Sequence, residues 1–263
     1  MQVPSSLRLA VRSVTAYDLD LPAGGTHRGV PGPDVVLEIA LDAPLDVRWA
    51  DRPDTRQRAW SVLSGLHTRP AQVEMPARAR GVSVRLTPWG ARKLLGMPCA
   101  ELAGRLVSLD EAAPGLSDLP ERLAASRRPA DELVLLLQHA LREAASDGPG
   151  PVDAALAALC RGRPVAVSAA AGGWSRRHLQ DLVHRECGLS PRDLRRVGRL
   201  ARSRVAMVRG AGRSLADVAA GAGYADHAHL TREWKDLAGC TPTTFLREEL
   251  PYVQAAEVPD GGG

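Results

Sequence analysis

The sequence predicts an α+β protein in two parts: a β-rich barrel or sandwich over residues 1–112, and an all-α domain over residues 151–250 with two helix-turn-helix motifs joined by a long helix. Three observations lead there. Pro and Gly cut the first part into short runs that alternate apolar and polar residues, the period of a half-buried strand. After Pro88 the period turns helical. From Val167 onward the chain repeats itself at a shift of 51 residues. A length of 263 residues suits two domains of ~100–150 residues each.

In the first part, Val82-Ser83-Val84-Arg85-Leu86 sets three apolar side chains on one face and two polar ones on the other, and Leu45-Asp46-Val47-Arg48-Trp49 does the same. Val35–Leu41 is more continuously apolar, as for a strand covered on both sides. Asp51–Gln57 reads as a polar loop between strands. Trp49, Trp60 and Trp89 read as core aromatics before pocket walls.

Ala91–Leu95 and Cys99–Leu106 read as short helices, followed by a turn at Pro114-Gly115 and a helix from a Ser117 cap to about Ser126. Asp131–Ala145 is a stronger helix, with Asp131 and Glu132 in the first turn, where the helix dipole favours acids. Leu133, Leu137, Ala140 and Ala144 form one stripe, and Val134, Leu135 and Leu136 widen it. Residues 113–147 are therefore expected to form a connector that packs on two sides or meets a second subunit. Ser146-Asp147-Gly148-Pro149-Gly150 is the clearest linker. Residues 251–263, ending in three glycines, are expected to be a disordered tail.

Composition narrows the function. A hydrophobic share of 44 % excludes wholesale disorder. Apolar runs such as Leu133–Leu137 are far below the ~18–20 residues of a membrane span, and Met1–Ala10 lacks the pattern of a signal peptide. A cytoplasmic protein is expected. Cys99, Cys160, Cys187 and Cys240 have neither zinc-knuckle nor CxxC spacing, so inert thiols are expected. Residues 1–150 balance 18 basic against 18 acidic side chains, whereas Arg161–Arg213 holds 13 arginines against three acids. A basic block beside a neutral half points to a polyanion-binding module attached to something else.

The repeat supplies a mechanism. Val167, Ala169, Ala171, Gly172, His178, Leu179, Gly188 and Pro191 recur as Val218, Ala220, Ala222, Gly223, His229, Leu230, Gly239 and Pro242. Each copy reads as an Ala-rich helix, a turn at Gly172 or Gly223, a cap at Ser175 or Asp226, and an amphipathic second helix. Gly-x-[Ser/Thr]-Pro then opens a further helix. Between the copies, Leu194, Val197, Ala201, Val205 and Val208 make one stripe along Pro191–Arg209, with Arg192, Arg195, Arg196, Arg199 and Arg202 on the remaining surface. That helix is ~28 Å long, which permits two reader helices to sit near one B-DNA turn apart, ~34 Å.

Gly173-Trp174-Ser175-Arg176-Arg177-His178-Leu179 with Gly188-Leu189-Ser190-Pro191, and Leu215–Ala219 through Gly223-Tyr224-Ala225-Asp226-His227-Ala228-His229-Leu230-Thr231-Arg232-Glu233 to Thr241-Pro242, resemble the DNA-binding domain of AraC/XylS transcription regulators. Gly81–Leu123 resembles the end of the cupin-like sensor domain of one subgroup, so the resemblance implies a cupin-like barrel in front. It also implies that Arg177, Gln180 and Asp181 of the first reader, and His227, Ala228, Thr231 and Arg232 of the second, approach base edges. Arg176, His184, Arg185, Arg195, Arg199 and Lys235 are then candidates for the phosphate backbone. Asp181 departs from the basic residue often found there; it can accept from cytosine or orient Arg177 or Arg185. Leu179, Leu182, Val183, Leu230, Trp234 and Leu237 should face inward, with Tyr224 and Phe245 in the core.

The resemblance implies double-stranded DNA as partner, a small-molecule effector or a second copy of the chain at the β-rich domain, and RNA polymerase if the protein activates. No catalytic residue, metal or cofactor is assigned, and no membrane. The alternative is a DNA-targeted enzyme or a cupin-type metal enzyme fused to a DNA-binding module. Against it, the sequence offers only His27 and His67 before the helices, not the clustered His and Glu of a metal cupin, and Cys99 is the sole cysteine of its half.

Overall fold

A computed structural model describes residues 3–20, 25–144, 147–210 and 213–257. Among the described residues the fold is α+β, as expected: nine strands in two sheets, then a helical domain. The strands are β1 Val11–Asp20, β2 Gly25–Gly29, β3 Val35–Ala40, β4 Leu45–Trp49, β5 Arg52–Ala59, β6 Ser61–Ser64, β7 Ala71–Met75 and β8 Arg78–Leu86, with a short β9 at Leu106–Val107. Sheet A runs β1-β8-β3-β6-β9 and sheet B β2-β7-β4-β5, with every pairing antiparallel.

Register decides which face of sheet A is buried. Val14, Val84, Leu37 and Leu63 lie opposite one another across four strands and point to one side. That side packs on helices α1 Pro88–Leu95, α2 Leu109–Ala112, α3 Leu119–Ala125 and α4 Pro129–Ala144, contributing to one continuous core. Burial of each such side chain contributes roughly 1.5–3 kcal/mol. In sheet B the apolar side chains of β4 turn the other way, toward sheet A, while Asp46 and Arg48 face outward. The two alternating runs read from the sequence thus face opposite directions.

Several local expectations change. Trp60, read as a core aromatic, is 48 % exposed, and α3 starts after Asp118 with no side-chain cap, Ser117 instead ending the 3₁₀ turn before it. Asp51–Gln57 lies largely in β5, an edge strand wet on most of its length, so it lacks the apolar alternation that marks a strand. Cys99–Leu106 is helical only as a 3₁₀ turn at Cys99–Leu102, because Leu106 leaves it to pair with Ser64. In α4, Leu133, Val134, Leu137 and Leu141 are buried while Leu135 is 65 % exposed, so the wide apolar surface is mostly consumed within the chain.

The helical domain comprises α5 Pro151–Cys160, α6 Val165–Ala171, α7 Arg176–Cys187, α8 Pro191–Arg209, α9 Leu215–Ala222, α10 His227–Ala238 and α11 Pro242–Glu257. The final helix runs through residues 251–257, seven residues into the segment expected to be a tail; residues 258–263 and Ser146 of the linker lie outside the described residues. The first motif shares the core of sheet A and its helices: Leu156, Leu159, Leu179, Val183 and Leu194 belong to that cluster. The second has its own, around Leu230, Trp234, Leu237 and Phe245.

Candidate nucleic-acid interface and interdomain cavity

Both motifs are built as the repeat implies. Ser175 caps α7 by accepting from the His178 amide at 3.1 Å, and Asp226 caps α10 by accepting from the His229 amide at 2.6 Å. Gly223 takes the left-handed backbone at φ 85°. In the first motif that role passes to Gly173 at φ 70°; Gly172 stands at φ −94°, and it is small because the Trp174 ring lies where a Cβ would be. Sequence alone could not choose between adjacent glycines.

The reader faces are open. Arg176, Arg177, Gln180, Asp181, His184 and Arg185 are exposed on α7, as are His227, Ala228, Arg232 and Lys235 on α10, with Thr231 half-buried. Leu179, Val183, Leu230, Trp234 and Leu237 face inward and are buried, Leu182 partly so; Tyr224 and Phe245 are core.

The rod α8 differs from expectation along its length. Leu194 and Val197 are buried, but Val205 is 41 % exposed, and Leu200, Ser203 and Met207 are buried in place of the rest of the stripe. A helix shared by two motifs must bury two faces, one per core. Gly198 lies so close to α5 that a Cβ would fall on the Cys160 carbonyl. Ser203 Oγ accepts from the Trp234 indole at 2.9 Å.

Several arginines of α8 brace the domain from within. Arg199 binds the buried Glu233 of α10 through two nitrogens, at 3.0 and 2.6 Å, and lies over the Tyr224 ring. Arg196 reaches Glu233 and Asp236, each at 3.3 Å, and Arg195 donates to the Gly162 carbonyl at 3.4 Å. Arg202 donates to the carbonyls of Cys160, ending α5, and of Ala222, ending α9, the latter at 2.9 Å. One guanidinium thus caps a helix of each motif. The expectation that Arg199 and Arg195 meet phosphate is not supported by this geometry, because both are half-buried and turned toward protein acceptors.

Both motifs dock on the β-rich domain. Arg92 of α1 pairs with Asp153 and Glu186, and the chain at Gly188 lies against Ala100 and Ala103. At the other end Glu249 of α11, 1 % exposed, lies 2.7 Å from His27 Nδ1 and accepts from the Arg28 amide at 3.0 Å. Sequence reasoning missed this contact, which a lone acid in a helix does not announce.

Between the sheets and α8 lies a cavity of about 1640 Å³. It exceeds the ~300–1,000 Å³ of ordinary ligand pockets. One wall is sheet B, with Leu45, Val47, Val73 and Met75; the facing wall is sheet A, with Thr15, Tyr17, Glu38, Ser83 and Arg85. The mouth is closed by α8, which contributes Arg202, Arg204, Val205 and Arg209. Asp34 and Asp153 are further acids lining it, and burial raises the Asp34 carboxyl against the pull of Arg12, Arg85 and Arg204. The sequence signal for this wall was the polar face of Val82–Leu86 and the single acid in Val35–Leu41.

Burial disfavours the reactive thiolate form of the cysteines. Burial pushes Cys99 up to about 12 and Cys187 up to about 11, and Cys99, Cys187 and Cys240 are buried. His67 is buried against Trp49 and pushed down to about 4 by burial. Among the described residues no group of three or more His, Cys, Asp or Glu is arranged to hold a metal, and no helix is long and apolar enough to cross a membrane.

Residues 168–248 match a family model described as a helix-turn-helix domain. With two capped motifs on one rod, the C-terminal part of the chain is a helix-turn-helix domain of the DNA-binding kind. More particularly, it is similar to the domains of AraC-type regulators. No curated protein matches the sequence. Among solved structures, ToxT from Vibrio cholerae O395 is similar at TM-score 0.53 and 13 % identity, over 90 % of this chain and 97 % of that one. Unsaturated fatty acid bound wild-type ToxT from Vibrio cholerae strain SCE256 is similar at TM-score 0.52 and 11 % identity, over 95 % of this chain and 98 % of that one. At such identity the likeness is one of fold, and it spans both parts of the chain.

Proposed function

We propose that the protein is a sequence-specific transcription regulator that reads DNA with α7 and α10 in successive major grooves and is controlled by an organic anion held between its two parts. The observation that carries this reading is the composition of the cavity: its walls come from both sheets and from the helix that joins the readers. A ligand there touches the rod on which reader spacing depends. Arginines of both parts, Arg12 and Arg85 with Arg204 and Arg209, favour an anionic head, while Leu45, Val47, Val73 and Met75 favour an apolar body. The fold likeness supports it: ToxT has been solved with an unsaturated fatty acid and with (E)-4-(8-methylnaphthalen-1-yl)but-3-enoic acid, both carboxylic acids.

In this reading Arg177, Gln180 and Asp181, then His227, Ala228, Thr231 and Arg232, face bases. Arg176, His184, Arg185 and Lys235 face phosphates. The protein is not an enzyme. RNA polymerase and a second copy of the chain remain partners of the same proposal, α4 being the element for the latter.

The test is selection of bound sequences from random duplex DNA by the full chain, with and without a long-chain unsaturated acid. The expected result is a two-part site with centres about one turn, ~10 base pairs, apart, and an affinity that the acid changes. Arg177→Ala or Arg232→Ala should cost about 1–3 kcal/mol and relax preference at one part of that site only. Absence of any enriched sequence, or binding untouched by both substitutions, overturns the assignment of the reader faces.

A further inference from the structure

Sheet A has a polar row where a hydrocarbon-binding chamber would have an apolar one. Antiparallel register sets Thr15 opposite Ser83 and Ser83 opposite Glu38, so the three side chains stand together on the face turned to the cavity. On the other face of the same strands the corresponding row is Val14, Val84, Leu37 and Leu63. The Ser83 hydroxyl donates to Glu38 Oε1 at 2.6 Å. One row further along, the phenol of Tyr17 lies over Gly81, where a Cβ would collide with it; Tyr17 also lines the cavity. The surface that Glu38 retains opens into the chamber.

An apolar chain laid across this row would strip water from a carboxyl, a hydroxyl and a phenol and give nothing back, which penalises binding. A ligand hydroxyl repays it, because it both donates and accepts. Burial raises the Glu38 carboxyl above the ordinary glutamate value, against the pull of Ser83, Arg85 and His27, so the group it presents is suited to a neutral partner more than to an ammonium ion.

Resting on the effector reading above, we propose that the chamber selects a hydroxylated amphipathic acid: its carboxylate meets the arginines at the α8 mouth, and a hydroxyl along its chain is held by Glu38, Ser83 and Tyr17. The row is then the specificity element and sheet B the hydrophobic platform.

The experiment is calorimetric titration of the full chain with matched acids: ricinoleic against oleic acid, and a positional series of hydroxystearic acids against stearic acid. At least one hydroxy acid should bind at least about tenfold tighter than its parent, a difference of ~1.4 kcal/mol. Glu38→Leu should erase that preference, leaving each hydroxy acid and its parent equal in affinity, and Ser83→Ala should reduce it; thermal unfolding of both variants confirms that they fold. Equal affinities within every pair, or a preference that survives Glu38→Leu, overturns the hydroxyl proposal while leaving an acid effector standing. Binding of none of the acids overturns the effector reading, and the hydroxyl proposal with it.

Discussion

Arg199 carries a charge that the sequence assigns to phosphate and a geometry that assigns it to Glu233. A buried carboxylate needs a partner, and the α8 guanidinium supplies it with two hydrogen bonds. Arg199→Ala should therefore lower stability by about 1–3 kcal/mol, since Glu233 loses its two-nitrogen partner and keeps Arg196 at 3.3 Å and His229 at 4.0 Å, and should leave the salt dependence of DNA binding unchanged. Arg176→Ala should do the reverse: no loss of stability, but a drop of about 1 in the slope of log affinity against log salt. Titrations at several salt concentrations separate the two, and a change in slope with Arg199→Ala would restore it to the backbone contacts. His67 gives a pH prediction. Its folded value lies near 4, below its ordinary 6.5, so the unfolded chain binds more protons between those values and stability falls as pH drops through them. His67→Phe should remove about 2 kcal/mol of that acid sensitivity in denaturant titrations at pH 7 and pH 4.5; an unchanged pH profile would show that His67 is not its source.

Elements were legible wherever a local signal decides them. Ser175 and Asp226 announced helix starts because capping is a contact between near neighbours, and each caps as expected. The span of α8 was readable from Pro191 to Arg209. What failed depended on partners far away in sequence. The buried side of α8 switches from Leu194 to Leu200 and Met207 because two cores claim it, and no periodicity within one helix reveals a second core. β5 was invisible for the same reason: its ladder to β4 is backbone, and its side chains are wet. The reader faces followed from amphipathic spacing, whereas the cavity wall required knowing that the polar face of β8 is enclosed. Gly198 tests the packing of this layer. Gly198→Ala places a methyl group on the Cys160 carbonyl and should cost about 1–3 kcal/mol in thermal unfolding. It should also disturb DNA binding more than any exposed α8 substitution, because the shift propagates to Arg202. A variant as stable as the parent would mean that α5 and α8 part easily.

At the scale of the molecule, the linker at Asp147–Gly150 divides the sequence but not the hydrophobic interior. The first motif shares its buried cluster with sheet A, and the second motif keeps one of its own. Native-state hydrogen exchange should accordingly show α9, α10 and α11 opening together at lower free energy, with α5, α6 and α7 opening alongside β3 and β8. Protection of all seven helices in a single step distinct from the sheets would contradict that partition.

The continuity of that interior also bears on how such chains can be recombined. A chimera that takes its front half from one relative and everything after Gly150 from another would join two mismatched halves of one oil-filled joint, at Leu156, Leu179 and Leu194. An exchange point beyond the middle of α8 would keep that shared cluster whole and leave only the Glu249 contact with His27 and Arg28 to be matched.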